Sequence, residues 1–154
     1  MGNILPMVGA HESARAIENL VYDYAHRIDR GDFAGVGELF AHGRIEAAPG
    51  VTFEGADRVR GLYESTTRLH DDGTPRTHHV TTNVAVEVDA ATRTAVARSR
   101  YTVFQQTDGL PLQAIVAGRY EDTFHVVDDQ WCFESRRMFV DLTGDVSQHL
   151  LIEL

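Results

Sequence analysis

Asp29, His79, Tyr24 and Arg137 are the residues whose types and surroundings could do chemistry. Asp29 ends the first stretch of apolar periodicity. A carboxylate at a helix C-terminus opposes the macrodipole by about 0.3–1 kcal/mol at a surface. It is therefore either a turn residue of Asp29-Arg30-Gly31-Asp32 or a group aimed at a pocket mouth to orient a histidine. His79 follows His78 at the start of a strand-like run, and alternation sends the two imidazoles to opposite faces. An imidazole held at one nitrogen by a carboxylate is a general base through the other. Tyr24 lies on the apolar stripe of the first helix, where a buried hydroxyl needs a partner. Arg137 shares a predicted strand face with Phe133 and Ser135, and an arginine sent inward needs an anionic partner or ligand.

Composition narrows the chemistry further. The chain has 154 residues, and all 14 of its Lys-plus-Arg positions are arginine. Without lysine there is no Schiff base and no P-loop. A single cysteine, Cys132, excludes an internal disulfide, a CxxC redox pair and a thiolate metal site. His26, Asp29, His70, His78 and His79 stand in no recognisable ligand spacing, so neither metal nor cofactor is expected. Gly35 and Gly37 suggest a nucleotide loop, but Phe40 stands where the third glycine belongs. A net charge of −9 repels phosphate backbones, so nucleic acid is not an expected partner. No basic amphipathic face suggests a membrane. The opening MGNILPMVGA lacks a charged leader region, and Pro6 spoils the myristoylation pattern hinted at by Gly2, which points to a cytoplasmic protein.

These residues need elements to position them. Ile17, Leu20, Val21, Tyr24, Ala25 and Ile28 predict a helix, with Ser13 as N-cap and Gly31 as stop. Asp32 caps a short second helix carrying Phe33, Val36 and Phe40, and Val59, Leu62, Tyr63, Thr66 and Leu69 mark a third. Arg44 to Phe53 reads as extended chain broken at Pro49-Gly50. Thr77–Asp89, Thr94–Thr107, Leu112–Val127 and Trp131–Leu142 read as strands joined by short turns. Helices first and an antiparallel sheet after make an α+β domain spanning residues 1–154.

One sheet face is apolar and aromatic with polar groups dotted over it, as in a ligand pocket. Ser99, Tyr101, Tyr120, Phe133 and Ser135 lie on it and are the expected substrate contacts, together with Asn83, which shares the face of His79. The first long strand conflicts with this pattern. Val80, Thr82, Val84, Val86 and Val88 form its apolar face, opposite His79 and Asn83. Either a bulge switches the parity, or another subunit covers the valines. The apolar tail (Leu150, Leu151, Ile152, Leu154) also wants a surface, so a homodimer or homotrimer is expected.

The order Tyr24-xxxx-Asp29, Thr77-His78-His79-Val80-Thr81-Thr82-Asn83, Gly118-Arg119-Tyr120-Glu121-Asp122 and Trp131-x-Phe133-xxx-Arg137 resembles the SnoaL-like branch of the nuclear transport factor 2-like superfamily, over about residues 11–142. The resemblance extends to scytalone dehydratase, bile acid 7α-dehydratase and hexachlorocyclohexane dehydrochlorinase. It implies a cone-shaped curved sheet, antiparallel or mixed, packed on the N-terminal helices and enclosing a pocket. It also implies a cofactor-independent His–Asp dyad that falls on His79 and Asp29. Tyr24 matches a tyrosine of the bile acid enzyme. That enzyme's arginine on the last strand matches Arg137, or Arg136 if the register differs by one. The dehydratases carry a further His or Asp on the next strand, where this chain has Ser99, Arg100 and Tyr101. The implied activity is a dehydratase-type lyase acting on a small hydrophobic ring compound such as a steroid or polyketide. The alternatives are an isomerase or cyclase with the same dyad, or a non-catalytic binding or assembly subunit.

Overall fold

The computed structural model describes residues 9–154, so the readings made on Gly2 and Pro6 lie outside the described residues. Three helices, α1 (Ala10–Asp29), α2 (Phe33–Leu39) and α3 (Ala56–Thr66), accompany six strands. The strands are β1 (Arg44–Ala48), β2 (Val51–Glu54), β3 (Thr77–Asp89), β4 (Thr94–Thr107), β5 (Leu110–Val127) and β6 (Gln130–Thr143). They form one sheet in the order β2-β1-β6-β5-β4-β3. Among the described residues only β1 and β6 run parallel, because the chain must return from the far edge after α3 has crossed over. The fold is α+β with a mixed sheet. Among the described residues no helix is long and apolar enough to cross a membrane.

The stripe Ile17, Val21, Tyr24, Ala25 and Ile28 is buried as its spacing requires. The helix begins earlier than expected: Gly9 is its N-cap, and Ser13 is a buried residue of its first turn. Asp32 caps α2 by accepting from the Gly35 amide at 2.9 Å. Helix α3 stops at Thr66, short of Leu69, because Thr67 turns to extended backbone and bridges to Leu150. Gly31 ends α1 with φ +72°, and a Cβ there would lie 2.3 Å from the Gly73 carbonyl. Only glycine lets the Asp72-Gly73 turn seat against the helix end that carries Asp29.

Two bulges decide which side chains face the helices. On β3, Thr82 pairs with Arg100 and Ala85 with Arg98, so two residues oppose Ser99 alone. Asn83 takes the left-handed conformation there, with φ +54°. Before the bulge Thr77, His79 and Thr81 face inward, opposite Gln105, Val103 and Tyr101; after it Val86 and Val88 do, opposite Ala97 and Ala95. The parity switch is thus made within the chain, and these valines pack in the core without a second subunit. Asn83 forms the bulge and is exposed, so it does not join His79 on the inner face.

On β6, Phe133 pairs with Phe124 but Ser135 pairs with Thr123, leaving Glu134 as the extra residue. Phe133 therefore faces inward, and beyond the bulge Arg136 does. Ser135 turns outward and hydrogen-bonds Thr123 at 2.6 Å. Arg137 turns outward too, between Glu46 at 3.3 Å and Glu121 at 3.4 Å. The expectation that Arg137 and Ser135 face the interior is corrected: uninterrupted alternation cannot hold across an inserted residue.

The left-handed Asn83 tests this arrangement. Asn83→Val puts a β-branched side chain at positive φ and should cost about 1–2 kcal/mol, whereas Asn83→Gly should be near neutral. Urea denaturation of both variants reads the difference, and equal stabilities would count against the bulge.

Candidate active site

Asp29 reaches from the last turn of α1 to the first residues of β3. Its Oδ1 accepts from the Thr77 hydroxyl at 2.8 Å and contacts His79 Nδ1 at 2.6 Å. Its Oδ2 accepts from the His79 backbone amide at 2.8 Å. Burial pushes this carboxyl up, but the His79 ring, its amide and the Thr77 hydroxyl outweigh burial and hold it below its ordinary value. Asp29 is therefore an anion at neutral pH. A carboxylate can only accept, so the shared proton sits on His79 Nδ1; in the neutral imidazole this leaves the lone pair on Nε2. The His79 side chain is 8% exposed, against 21% for Asp29. No protein group among the described residues hydrogen-bonds Nε2. His78 points the other way and is exposed, as alternation requires.

A second polar cluster lies deeper between the helices and the sheet. Arg136 is fully buried and grips Asp122 with two hydrogen bonds of 2.8 Å, through Nε and Nη2. Burial alone would pull the guanidinium down, but Asp122 holds it above its ordinary range. Its Cζ lies 3.8 Å from the centre of the Tyr120 ring, 4.2 Å from that of Tyr24 and 5.0 Å from that of Phe133. Tyr24 shares a hydrogen bond with Tyr63. Burial raises the hydroxyls of Tyr24, Tyr63 and Tyr120, so all three stay neutral at physiological pH. Tyr101 stacks on Tyr120 at 4.4 Å and donates to the Phe139 carbonyl at 2.9 Å. It can do so only because Gly118 leaves the path open: a Cβ there would meet its hydroxyl at 2.6 Å. The Arg136 Nη1 and Ser99 Oγ atoms are buried without a partner.

The structure thus brings Asp29, His79 and Thr77 together, and separately Tyr24, Tyr63, Tyr101, Tyr120, Phe133, Asp122 and Arg136. No hydrogen bond joins the two groups among the described residues. Tyr24 and Asp29 share α1, about 7.5 Å of helical rise apart. The rings and Arg136 occupy the space between helices and sheet. Two open hollows lie on the surface, and neither Asp29 nor His79 lines them. One of about 290 Å³ touches Thr77 and Gln105, and one of about 340 Å³ lies between Phe33, Thr67, Leu69 and Leu151. Among the described residues no cluster of three or more His, Cys, Asp or Glu side chains could hold a metal ion.

Sequence reasoning missed three contributors. Thr77 gave no signal. Asp122 did: it lies on the same predicted face as Tyr120, and a buried carboxylate there calls for Arg136 as its cation. His149 was hidden in a tail read only for its leucines. It is 7% exposed, and its Nδ1 has no partner. Burial, aided by His79 and His70 and opposed by Asp29, pulls it down to about 4.

A model of the SnoaL-like domain matches residues 10–137. The chain belongs to the SnoaL-like domain family. Among solved structures, this family member is similar to a protein from Novosphingobium aromaticivorans provisionally named a scytalone dehydratase. The two share 26% identity and a TM-score of 0.68, over 86% of this chain and 87% of that one. A protein of unknown function from Mycobacterium tuberculosis matches at 24% identity and a TM-score of 0.71, covering 91% and 78%. LinA matches at 18% and 0.66, covering 84% and 86%, which is a likeness of fold alone. No curated protein sequence matches the chain.

Two outcomes follow from the buried charges. Asp122→Ala leaves Arg136 uncompensated and should cost about 3–5 kcal/mol, while Asp122→Leu with Arg136→Met should cost much less; thermal or urea unfolding decides, and equal losses would refute the reading. Because His149 is held down, the unfolded chain binds its proton first. Stability should therefore fall as pH drops from 6.5 towards about 4, by an amount on the order of 1–3 kcal/mol. His149→Gln should flatten that part of the curve, and an unchanged slope would remove His149 as its source.

Proposed function

We propose that this protein is a cofactor-independent lyase of the dehydratase type acting on a small hydrophobic ring compound, with His79 as general base. The observation that carries this reading is the 2.6 Å contact between His79 Nδ1 and Asp29, with the same carboxylate also held by Thr77 and the His79 amide. Asp29 fixes the tautomer and stabilises the imidazolium that forms. Nε2 removes a proton from carbon next to a carbonyl. Arg136 takes the role first expected of Arg137: its unpaired Nη1 and the neutral Tyr24 hydroxyl are donors for that carbonyl oxygen. A leaving group on the next carbon then departs. The likeness to a protein named for scytalone dehydratase fits this class.

A second reading, a non-catalytic binding or assembly subunit, is favoured by the filled interior. Neither hollow is lined by His79, so a ring-sized substrate has to displace packed side chains to reach Nε2.

A base-only probe separates the two. A nitrobenzisoxazole opens when a base removes its ring proton, and the coloured phenolate reports the rate. The protein should accelerate this opening, and His79→Ala should lower the rate by about two to four decades. Asp29→Asn should fall in the same direction while leaving the fold intact by circular dichroism. Opening that is equally fast in His79→Ala would end the lyase reading in favour of the binding subunit.

A further inference from the structure

The C-terminal segment does more than cover apolar surface. Gly144 donates to the Ile115 carbonyl at 2.7 Å as the chain leaves β6. Asp145 then accepts from the Ser147 amide and hydroxyl, at 3.0 and 2.6 Å, forming a turn. On one side the turn is tied to the end of α3: the Arg68 amide donates to His149 O at 2.7 Å, and the Leu151 amide donates to Thr66 O at 2.9 Å. On the other side Gln148 O accepts from Gln105 Nε2 and contacts His70 Nε2, each at 3.0 Å. Gln105 pairs across the ladder with Thr77, whose hydroxyl donates to Asp29. The link through Gln105 thus joins the turn to the strand position that holds the dyad.

His149 is the residue this turn buries, at 7% exposure, while Leu151, Ile152 and Leu154 remain half exposed or more. Val146 of this segment packs against the core, yet its most deeply buried residue is the histidine, although an unpaired buried polar group costs about 1–3 kcal/mol. Its backbone is satisfied through Val146 O and the Arg68 amide, yet its Nδ1 has no partner, and neither has the buried Oε1 of Gln105, whose Nε2 holds the adjacent Gln148 carbonyl. Buried polar atoms are almost always paired. Two orphans on segments joined at Gln148 mark where a polar group from outside the chain belongs.

Resting on the lyase reading, we propose that His149 touches the substrate and donates a hydrogen bond to the oxygen that leaves when His79 removes the proton. The step balances without a charge change on His149. His79 Nε2 takes the proton next to the carbonyl, and the C–H electron pair becomes the new C=C bond. The C–O bond breaks with its pair going to oxygen. The departing hydroxide takes the proton from the His79 imidazolium and leaves as water. His149 keeps its proton throughout and bears on the charge that develops on the oxygen. Its neutrality suits this: with a value near 4 it does not repel the cation formed at His79. The substrate class is thereby narrowed to ring compounds with a poor oxygen leaving group two carbons from the carbonyl carbon.

The test uses the full chain and two ketones that differ only in the β substituent, hydroxyl against nitrophenoxide. Nitrophenoxide leaves unaided and hydroxide does not. His149→Leu should lower elimination from the hydroxy ketone about a hundredfold and leave the nitrophenoxy ketone and the nitrobenzisoxazole within about twofold. His149→Gln, which keeps a donor, should restore part of the loss and serves if the leucine variant does not fold. Equal loss on both ketones would make His149 merely structural, and no loss on either would remove it from the reaction; both overturn the proposal while the base reading stands. Opening of nitrobenzisoxazole without elimination from either ketone also counts against it. A wild type that opens no nitrobenzisoxazole through His79 fails at the earlier step, the lyase reading itself.

Discussion

In a sheet with one dry face, a single inserted residue reverses every side chain beyond it. This constraint governs the molecule. The extra residues at Asn83 and Glu134 sit on strands at different places in the sheet, yet they have the same effect. The bulge at Asn83 lets one strand offer a histidine to Asp29 at its start and valines to the core at its end. The bulge at Glu134 lets β6 follow Phe133 with an inward arginine. Without the first, either His79 or the valines would face water. Without the second, Asp122 would be a buried carboxylate with no cation.

Asp29 illustrates how the fold compensates for an unfavourable local choice. At a helix C-terminus its charge is disfavoured. Three donors from β3 offset that, and in doing so they pin α1 across the edge strand of the sheet. The same contacts orient the imidazole. Packing of the helix and preorganisation of the base are one interaction. The Arg136–Asp122 pair plays the corresponding part deeper in the core, where the Tyr24 and Tyr120 rings pack against the guanidinium.

The α+β layout, the three helices and the four long strands were legible because each carries its own period and its own turn residues. Asp29 and His79 were legible as candidates from type, position and family resemblance. What could not be read was parity past a bulge. Nothing local distinguishes Glu134 from its neighbours, so Arg137 and Ser135 were assigned to the wrong face. The valine run of β3 did betray its bulge, because two incompatible faces on one strand demand a switch. His149 was illegible for another reason: its neighbours are long-range, and only the folded chain brings Gln105, Arg68 and Asp29 to it.

The all-arginine cation set has a consequence for alkaline solution. The outer-face pair of Arg119 with Asp141 keeps its charge at pH values where an ammonium group would lose its own. Cations therefore do not set the upper pH limit of this fold. The tyrosines do. Tyr24, Tyr63, Tyr101 and Tyr120 are all held above the ordinary phenol value, mainly by burial. Above about pH 10 the unfolded chain releases protons that the native interior must retain, so base attacks this protein from its aromatic core outward.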